Sequence, residues 1–147
     1  MRIMGVDIGT KRIGLAMSDP MAIIATGIGV IDATGELNAD AESVAHVAHT
    51  HGAGLVVVGL PIMLSGEEGQ AADQVRSFAV QLAQTANMPI ELWDERLTTS
   101  QAEKVMISAD ASRDERKARI DKVAAALILQ SYLDAHHGGV EAQDGED

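Results

Sequence analysis

Cysteine is absent from the 147 residues, which excludes a disulfide framework, a thiol nucleophile and a zinc–thiolate site. Aromatic side chains are nearly absent too: Phe78, Trp93 and Tyr132 are the whole set, too few for a platform on which successive bases of a single strand stack. Any nucleic acid that this chain recognises is expected to be read through backbone and shape. No apolar run approaches the ~18 residues that cross a bilayer. The basic-then-apolar pattern of a leader is also missing, because Asp7, Lys11 and Arg12 interrupt the first apolar stretch. A cytoplasmic protein without a membrane partner is the expectation. Positive charge is scarce, with 11 Lys and Arg against 22 Asp and Glu and a formal net charge of −11. On its face that balance argues against a phosphate-rich partner.

The distribution of charge changes this reading. Residues 32–95 hold ten acids and a single base, Arg76, and residues 141–147 hold four acids and no base. The segments 1–31 and 96–140 each come to +1. Five bases, Arg113, Arg116, Lys117, Arg119 and Lys122, fall within ten residues. Such a cluster is ordinarily a solvated helix face, and it is also the one strip suited to phosphates. The tail after Gly138-Gly139 has no apolar anchor and reads as disordered, which leaves 1–137 as one domain.

Hydrophobic residues make up 46% of the chain, enough for one core. Ile3–Ile8 reads as a buried strand, Gly9-Thr10-Lys11 as a turn, Ile13–Met17 as the returning strand and Ile23–Ile31 as a third. Ala39–Thr50 has helical spacing, with Gly52 just past its end. Leu55–Val58 is a strand buried on both faces, stopped by Pro61. Ser65-Gly66-Glu67-Glu68 matches a capping box, which predicts a long helix from there with Val75, Phe78, Ala79, Leu82 and Ala86 on one face. Ile90–Trp93 is the fifth strand. Two more capping boxes, Ser100–Glu103 and Ser112–Glu115, predict a short helix and a last one ending near Asp134. The fold class is α/β: a five-stranded mixed sheet, its first three strands antiparallel, flanked by helices.

Several acids stand where water should be scarce. Asp7 lies between Val6 and Ile8 on the first strand, Asp94-Glu95 follow the fifth strand directly, and Asp121 lies in the last helix beside Ile120, Ala124 and Ile128. A carboxylate in such a place costs several kcal/mol, of the order of ~3, unless a cation, a proton or hydrogen bonds compensate it. Singly, each has a structural account: Asp7 capping a turn, Asp94-Glu95 ending a strand in solvent, Asp121 pairing with Lys117 or Lys122. Together they repel unless a divalent cation sits among them, and oxygen-only ligands suit Mg²⁺ or Mn²⁺. Such ions activate water and stabilise the leaving oxygen in phosphodiester hydrolysis. The histidines His46, His49, His51, His136 and His137 stand near helix ends, where the dipole favours them. A Walker A loop is excluded around Lys11, because the spacing is wrong and a strand follows.

Val6-Asp7-Ile8-Gly9-Thr10-Lys11-Arg12-Ile13-Gly14-Leu15-Ala16 closely resembles the first motif of the YqgF/RuvX family. Val58-Gly59-Leu60-Pro61, Asp94-Glu95-Arg96-Leu97-Thr98-Thr99 and Ile120-Asp121-Lys122-Val123-Ala124-Ala125 agree in the same order. Met63-Leu64-Ser65 departs from the more polar loop usual there. These are Holliday-junction-resolvase-like proteins of ribonuclease H-like fold, also implicated in maturing the 5′ end of 16S ribosomal RNA. The resemblance implies a metal-dependent nuclease acting on structured RNA or branched DNA. It implies that Asp7, Glu95 and Asp121 are the catalytic, metal-binding acids for Mg²⁺ or Mn²⁺, with Asp94 a fourth ligand or a supporting group. Strand parity puts Asp94 and Glu95 on opposite faces.

Lys11, Arg12 and Arg96 lie beside these acids as phosphate clamps, and Arg116, Lys117, Arg119 and Lys122 form the nucleic-acid-binding rim. Pre-ribosomal particles are a further expected partner. The chain is expected to be a monomer or a homodimer, since resolving a junction needs two sites. The other reading is a non-catalytic RNA-binding factor of ribosome assembly that keeps this fold and binds through Arg113–Lys122.

Overall fold

The computed structural model describes residues 1–98 and 113–144, with the backbone alone at 113–119 and 138–144. Strand β1 (Arg2–Ile8) turns back into β2 (Arg12–Ser18), and β3 (Ala25–Asp32) follows. Helix α1 (Leu37–Thr50), β4 (Ala53–Leu60), α2 (Gln70–Ala86), β5 (Ile90–Asp94) and α3 (Arg113–Asp144) complete the order. The sheet runs β3-β2-β1-β4-β5. The β1–β2 and β2–β3 pairs are antiparallel, and β1–β4 and β4–β5 are parallel. Strand β1, which carries Asp7, is therefore central, with both edges of its backbone hydrogen-bonded.

Alternation along the strands splits the core in two. Met4, Val6, Ile13, Leu15, Val56, Val58 and Leu60 pack under α1 and α2, against Val44, Phe78 and Leu82. Ile3, Ala16, Leu55 and Val57 pack under α3, against Ala125, Ile128, Leu129 and Leu133. Each face of the sheet is thus covered by helix, which is why β1 and β4 read as continuous apolar runs.

Three sequence expectations shift. The long helix does not open at Ser65: α2 starts at Gln70, after Gly69, without a side-chain cap. Gly66, at φ +92, folds the segment into a turn instead. The Met63 N–H donates to the Glu67 carbonyl at 2.9 Å, and the Gly66 N–H to the Met63 carbonyl at 2.8 Å. Glu68 then binds Arg76 through both oxygens, at 2.7 and 2.8 Å. β3 starts at Ala25 rather than Ile23, because the N–H groups of Ile23 and Ile24 donate to Asp19 Oδ1 at 2.7 and 2.8 Å and close the preceding loop. The last helix continues past Asp134 through Gly138-Gly139 to Asp144. A glycine weakens an established helix by only about 1 kcal/mol, so the pair does not stop it. The expected helix after Ser100, and Thr99, lie outside the described residues.

Candidate active site

The site is built by residues that have no side chain. In β1 and β2, Asp7 stands opposite Gly14. A Cβ added at Gly14 would lie 2.1 Å from the Asp121 carbonyl oxygen. One at Gly5 would lie 2.7 Å from Leu129 Cβ, and one at Gly27 2.9 Å from Lys122 Cβ. Helix α3 thus rests on bare backbone of three adjacent strands, closer than any side chain allows. Its inner stripe is Asp121–Ala125–Leu129. The sequence sets Asp121 beside Ile120, Ala124 and Ile128; the structure turns Ile120 outward, 62% exposed, and carries Asp121 over β2 next to Asp7.

Glu95 arrives from the other side. A 3₁₀ turn, Glu95–Leu97, follows β5 directly. A Cβ at Gly59 of β4 would lie 3.1 Å from Glu95 Cγ and 2.6 Å from Ile128 Cδ1, so Glu95 fills the space over Gly59 on the α3 face. The turn is pinned there: Trp93 Nε1 donates to Ser131 Oγ at 3.0 Å, and Ser131 Oγ donates to the Leu97 carbonyl at 2.9 Å. Asp94 is level with Leu60, on the opposite face, as parity predicts. It accepts the Arg96 N–H at 2.8 Å and the Arg96 guanidinium through Nε at 3.0 Å and Nη2 at 2.8 Å. Those Arg96 bonds, the side-chain ones first, hold its pKa below the usual carboxylate value. Asp94 and Arg96 therefore satisfy each other, and neither is directed at Asp7.

The carboxylates differ in how their charge is met. Burial, and then the charge of Asp121, push the Asp7 pKa up. Burial, and then the charges of Asp7 and Asp94, do the same at Glu95. Among the described residues no hydrogen bond or cation acts against either rise. Asp121 differs, because Arg12 Nε donates to its Oδ2 at 2.5 Å. Lys11 is exposed on the turn beside Arg12, and Lys122 packs its backbone against Gly27. Arg116, Lys117 and Arg119 lie on the α3 segment just before Asp121, with side chains outside the description. Among the described residues no three acids or histidines are already gathered in ion-holding geometry. The donor set nevertheless fits a hard divalent cation: carboxylate oxygens only, partly buried, repelling one another at the mouth of the sheet.

Residues 1–135 match the profile of a family described as "RuvX: Holliday junction resolvase". The chain belongs to the RuvX family. Among its relatives, a protein of Pelotomaculum thermopropionicum is 50% identical over 135 residues, covering 92% of this chain and 88% of the relative. One of Myxococcus xanthus is 48% identical over 136 residues, covering 92% and 89%. Both carry the name "Putative pre-16S rRNA nuclease". The RuvC structure of Thermus thermophilus with a Holliday junction substrate superposes with a TM-score of 0.60 at 15% identity, over 94% of this chain and 96% of that one. The RuvX-family chain therefore has the ribonuclease H-like fold that its motifs imply. Among its described residues no helix is long and apolar enough to cross a membrane.

Two features of this RuvX-family site escaped sequence reasoning. One is the glycine bed under α3; its only trace is the recurrence of Gly5, Gly14, Gly27 and Gly59 within otherwise apolar strands, where glycine marks a close approach. The other is the Arg12–Asp121 pair, whose members are 109 positions apart.

Proposed function

We propose that this RuvX-family protein is a divalent-metal-dependent nuclease that hydrolyses phosphodiester bonds in structured nucleic acid, at the 5′ end of pre-16S ribosomal RNA or in Holliday-junction-like DNA. The observation that carries the reading is the pair of partly buried carboxylates, Asp7 and Glu95, whose charge no described residue compensates beside Asp121. A protein that only bound RNA would gain phosphate affinity and stability by lacking them, so the non-catalytic reading is not favoured. The relatives' names and the likeness to RuvC support the nuclease reading.

In this reading Asp7, from the central strand, and Glu95 and Asp121, from either side of it, hold the metal. Bound there, Mg²⁺ or Mn²⁺ lowers the pKa of an attacking water and offsets charge on the phosphate. Asp7 sets the position, because its strand is fixed by neighbours on both edges. Lys11 and Arg12, on the β1–β2 turn, draw the phosphate backbone to the mouth of the sheet. The substrate then lies along the β1–β2 turn and α3, away from α1 and α2, which carry Asp40, Glu42 and Asp73 on the opposite face of the sheet. A cytoplasmic setting, and pre-ribosomal particles as partners, accord with this surface.

The test is cleavage of defined precursor RNA and four-way DNA junctions with Mg²⁺, with Mn²⁺ and with EDTA. Cleavage that survives EDTA overturns the proposal, and light scattering with a bound junction decides whether a dimer forms. Glu95 and Asp94 separate cleanly. Glu95→Gln is expected to reduce kcat by about a hundredfold or more, whereas Asp94→Asn, which loosens the hold on Arg96 and removes one charge that acts on Glu95, should stay within about tenfold of the parent. Equal losses in single-turnover assays would show that both acids serve one centre.

A further inference from the structure

We infer that Arg12 is an exchangeable internal counter-cation for Asp121: its guanidinium occupies the carboxylate until a substrate phosphate draws it away, so that loading of the divalent metal and binding of nucleic acid promote each other. This rests on the reading of Asp121 as a metal-holding residue.

The backbone of Arg12 is held from both sides. It opens β2, paired with Ile8's side of the hairpin through the Gly9 N–H, which donates to the Arg12 carbonyl at 2.9 Å, and with β3 opposite Asp32. A Cβ at Gly9 would stand 2.5 Å from that carbonyl, so the hairpin is as tight as the chain allows. Its side chain is not so constrained. Arg12 meets Asp121 through Nε alone, while Arg96 grips Asp94 with Nε and Nη2 together. The Arg12 and Asp121 side chains keep 31% and 27% of their surface open to solvent, so a phosphate can reach the pair. A guanidinium matches a phosphate with two parallel hydrogen bonds, a better fit than one bond to a carboxylate.

Charge sets the two cations in competition. The guanidinium does not lose its proton, so it repels a divalent cation approaching the same carboxylate. Arg12 holds Oδ2, so the two cations compete for Asp121. Removing Arg12 to a phosphate frees Asp121 for the metal, and a bound metal expels Arg12 toward the phosphate. Linkage requires the two effects to be equal in size. The arrangement disfavours a loaded centre in the absence of substrate.

The experiment measures binding, not turnover. Mn²⁺ is titrated calorimetrically into the parent, Arg12→Gln and Asp7→Asn, and a short RNA duplex is bound in EDTA by fluorescence anisotropy. Arg12→Gln is expected to bind Mn²⁺ about tenfold more tightly and the duplex several-fold, about fivefold, more weakly. Unchanged or weaker Mn²⁺ binding in a folded Arg12→Gln overturns the inference. The parent gives an independent reading should that variant not fold: with a saturating, cleavage-resistant phosphorothioate duplex, its Mn²⁺ dissociation constant should fall about tenfold, and a constant that does not move overturns the coupling. If Asp7→Asn binds Mn²⁺ like the parent, the metal centre itself is misassigned, a failure distinct from the first two.

Discussion

Asp7→Asn is expected to lower cleavage by about three orders of magnitude and, in the same protein, to raise thermal stability at neutral pH. Asparagine keeps the shape of the side chain and removes the charge that the site is built around. The stability gain follows from protonation. Asp7 has a higher pKa folded than unfolded, because burial and Asp121 disfavour its anion. The folded state therefore holds this proton more tightly. The stabilisation this confers is complete below the ordinary value of 3.8 and is lost as pH rises through the raised one. At pH 7 the parent carries the full penalty and the variant none. A rise of about 3 °C or more in Tm is expected, the shift that about 1 kcal/mol makes in a domain of this size. Melts repeated at falling pH should show the difference shrinking as Asp7 takes up its proton. Unchanged cleavage would remove Asp7 from the centre; a lower Tm at pH 7 would show that its charge is compensated in the fold.

The second large effect lies at a residue with no chemistry. Gly14→Ala places a methyl group where the Asp121 carbonyl oxygen and carbon now sit, 2.1 and 2.8 Å away. Both atoms are helix backbone and have no rotamer to escape into, so α3 must lift from the sheet or tilt. Overpacking of this kind costs about 3 kcal/mol, to be read from urea denaturation. Cleavage should fall by more than the loss of folded protein accounts for, because a shift of about 1 Å in Asp121 misplaces it relative to Asp7. Gly29 supplies the control. It lies in the neighbouring strand with nothing within 4 Å of an added Cβ, and Gly29→Ala should leave both stability and cleavage close to the parent. Similar behaviour of the two variants would mean that α3 is not held by the glycine bed.

The strands were legible because burial on both faces leaves a strong mark: Ile3–Ile8 and Leu55–Val58 are runs that no surface element would carry. Asp7 stood out against that background for the same reason. The separation of Asp94 from Glu95 was also readable, since strand parity is a local property. The helix start at Ser65 was misread because a capping box describes four residues and is blind to the turn that Gly66 imposes and to Gly69 beyond it. Asp121 was half legible. Its neighbours set the helix, but the stripe that faces inward is chosen by where α3 touches the sheet, and that is decided by Gly5, Gly14 and Gly27, near the other end of the chain. The Arg12–Asp121 pair has the same cause. A contact between the first hairpin and the last helix leaves no local pattern in either.

The position of α3 in the chain has a consequence for the order of events during synthesis. Asp7 and Glu95 lie on elements that pair before residue 98, whereas Asp121 and the cover for Ile3, Ala16, Leu55 and Val57 come only with the last helix. A nascent chain that has not yet released α3 carries two of the three acids on a sheet with one bare apolar face. Such a chain lacks one acid of the proposed centre, and its exposed face invites association with other chains. Docking of α3 covers that face and also brings Asp121 beside Asp7, so a chain that stops short of it lacks both the cover and one acid of the proposed centre.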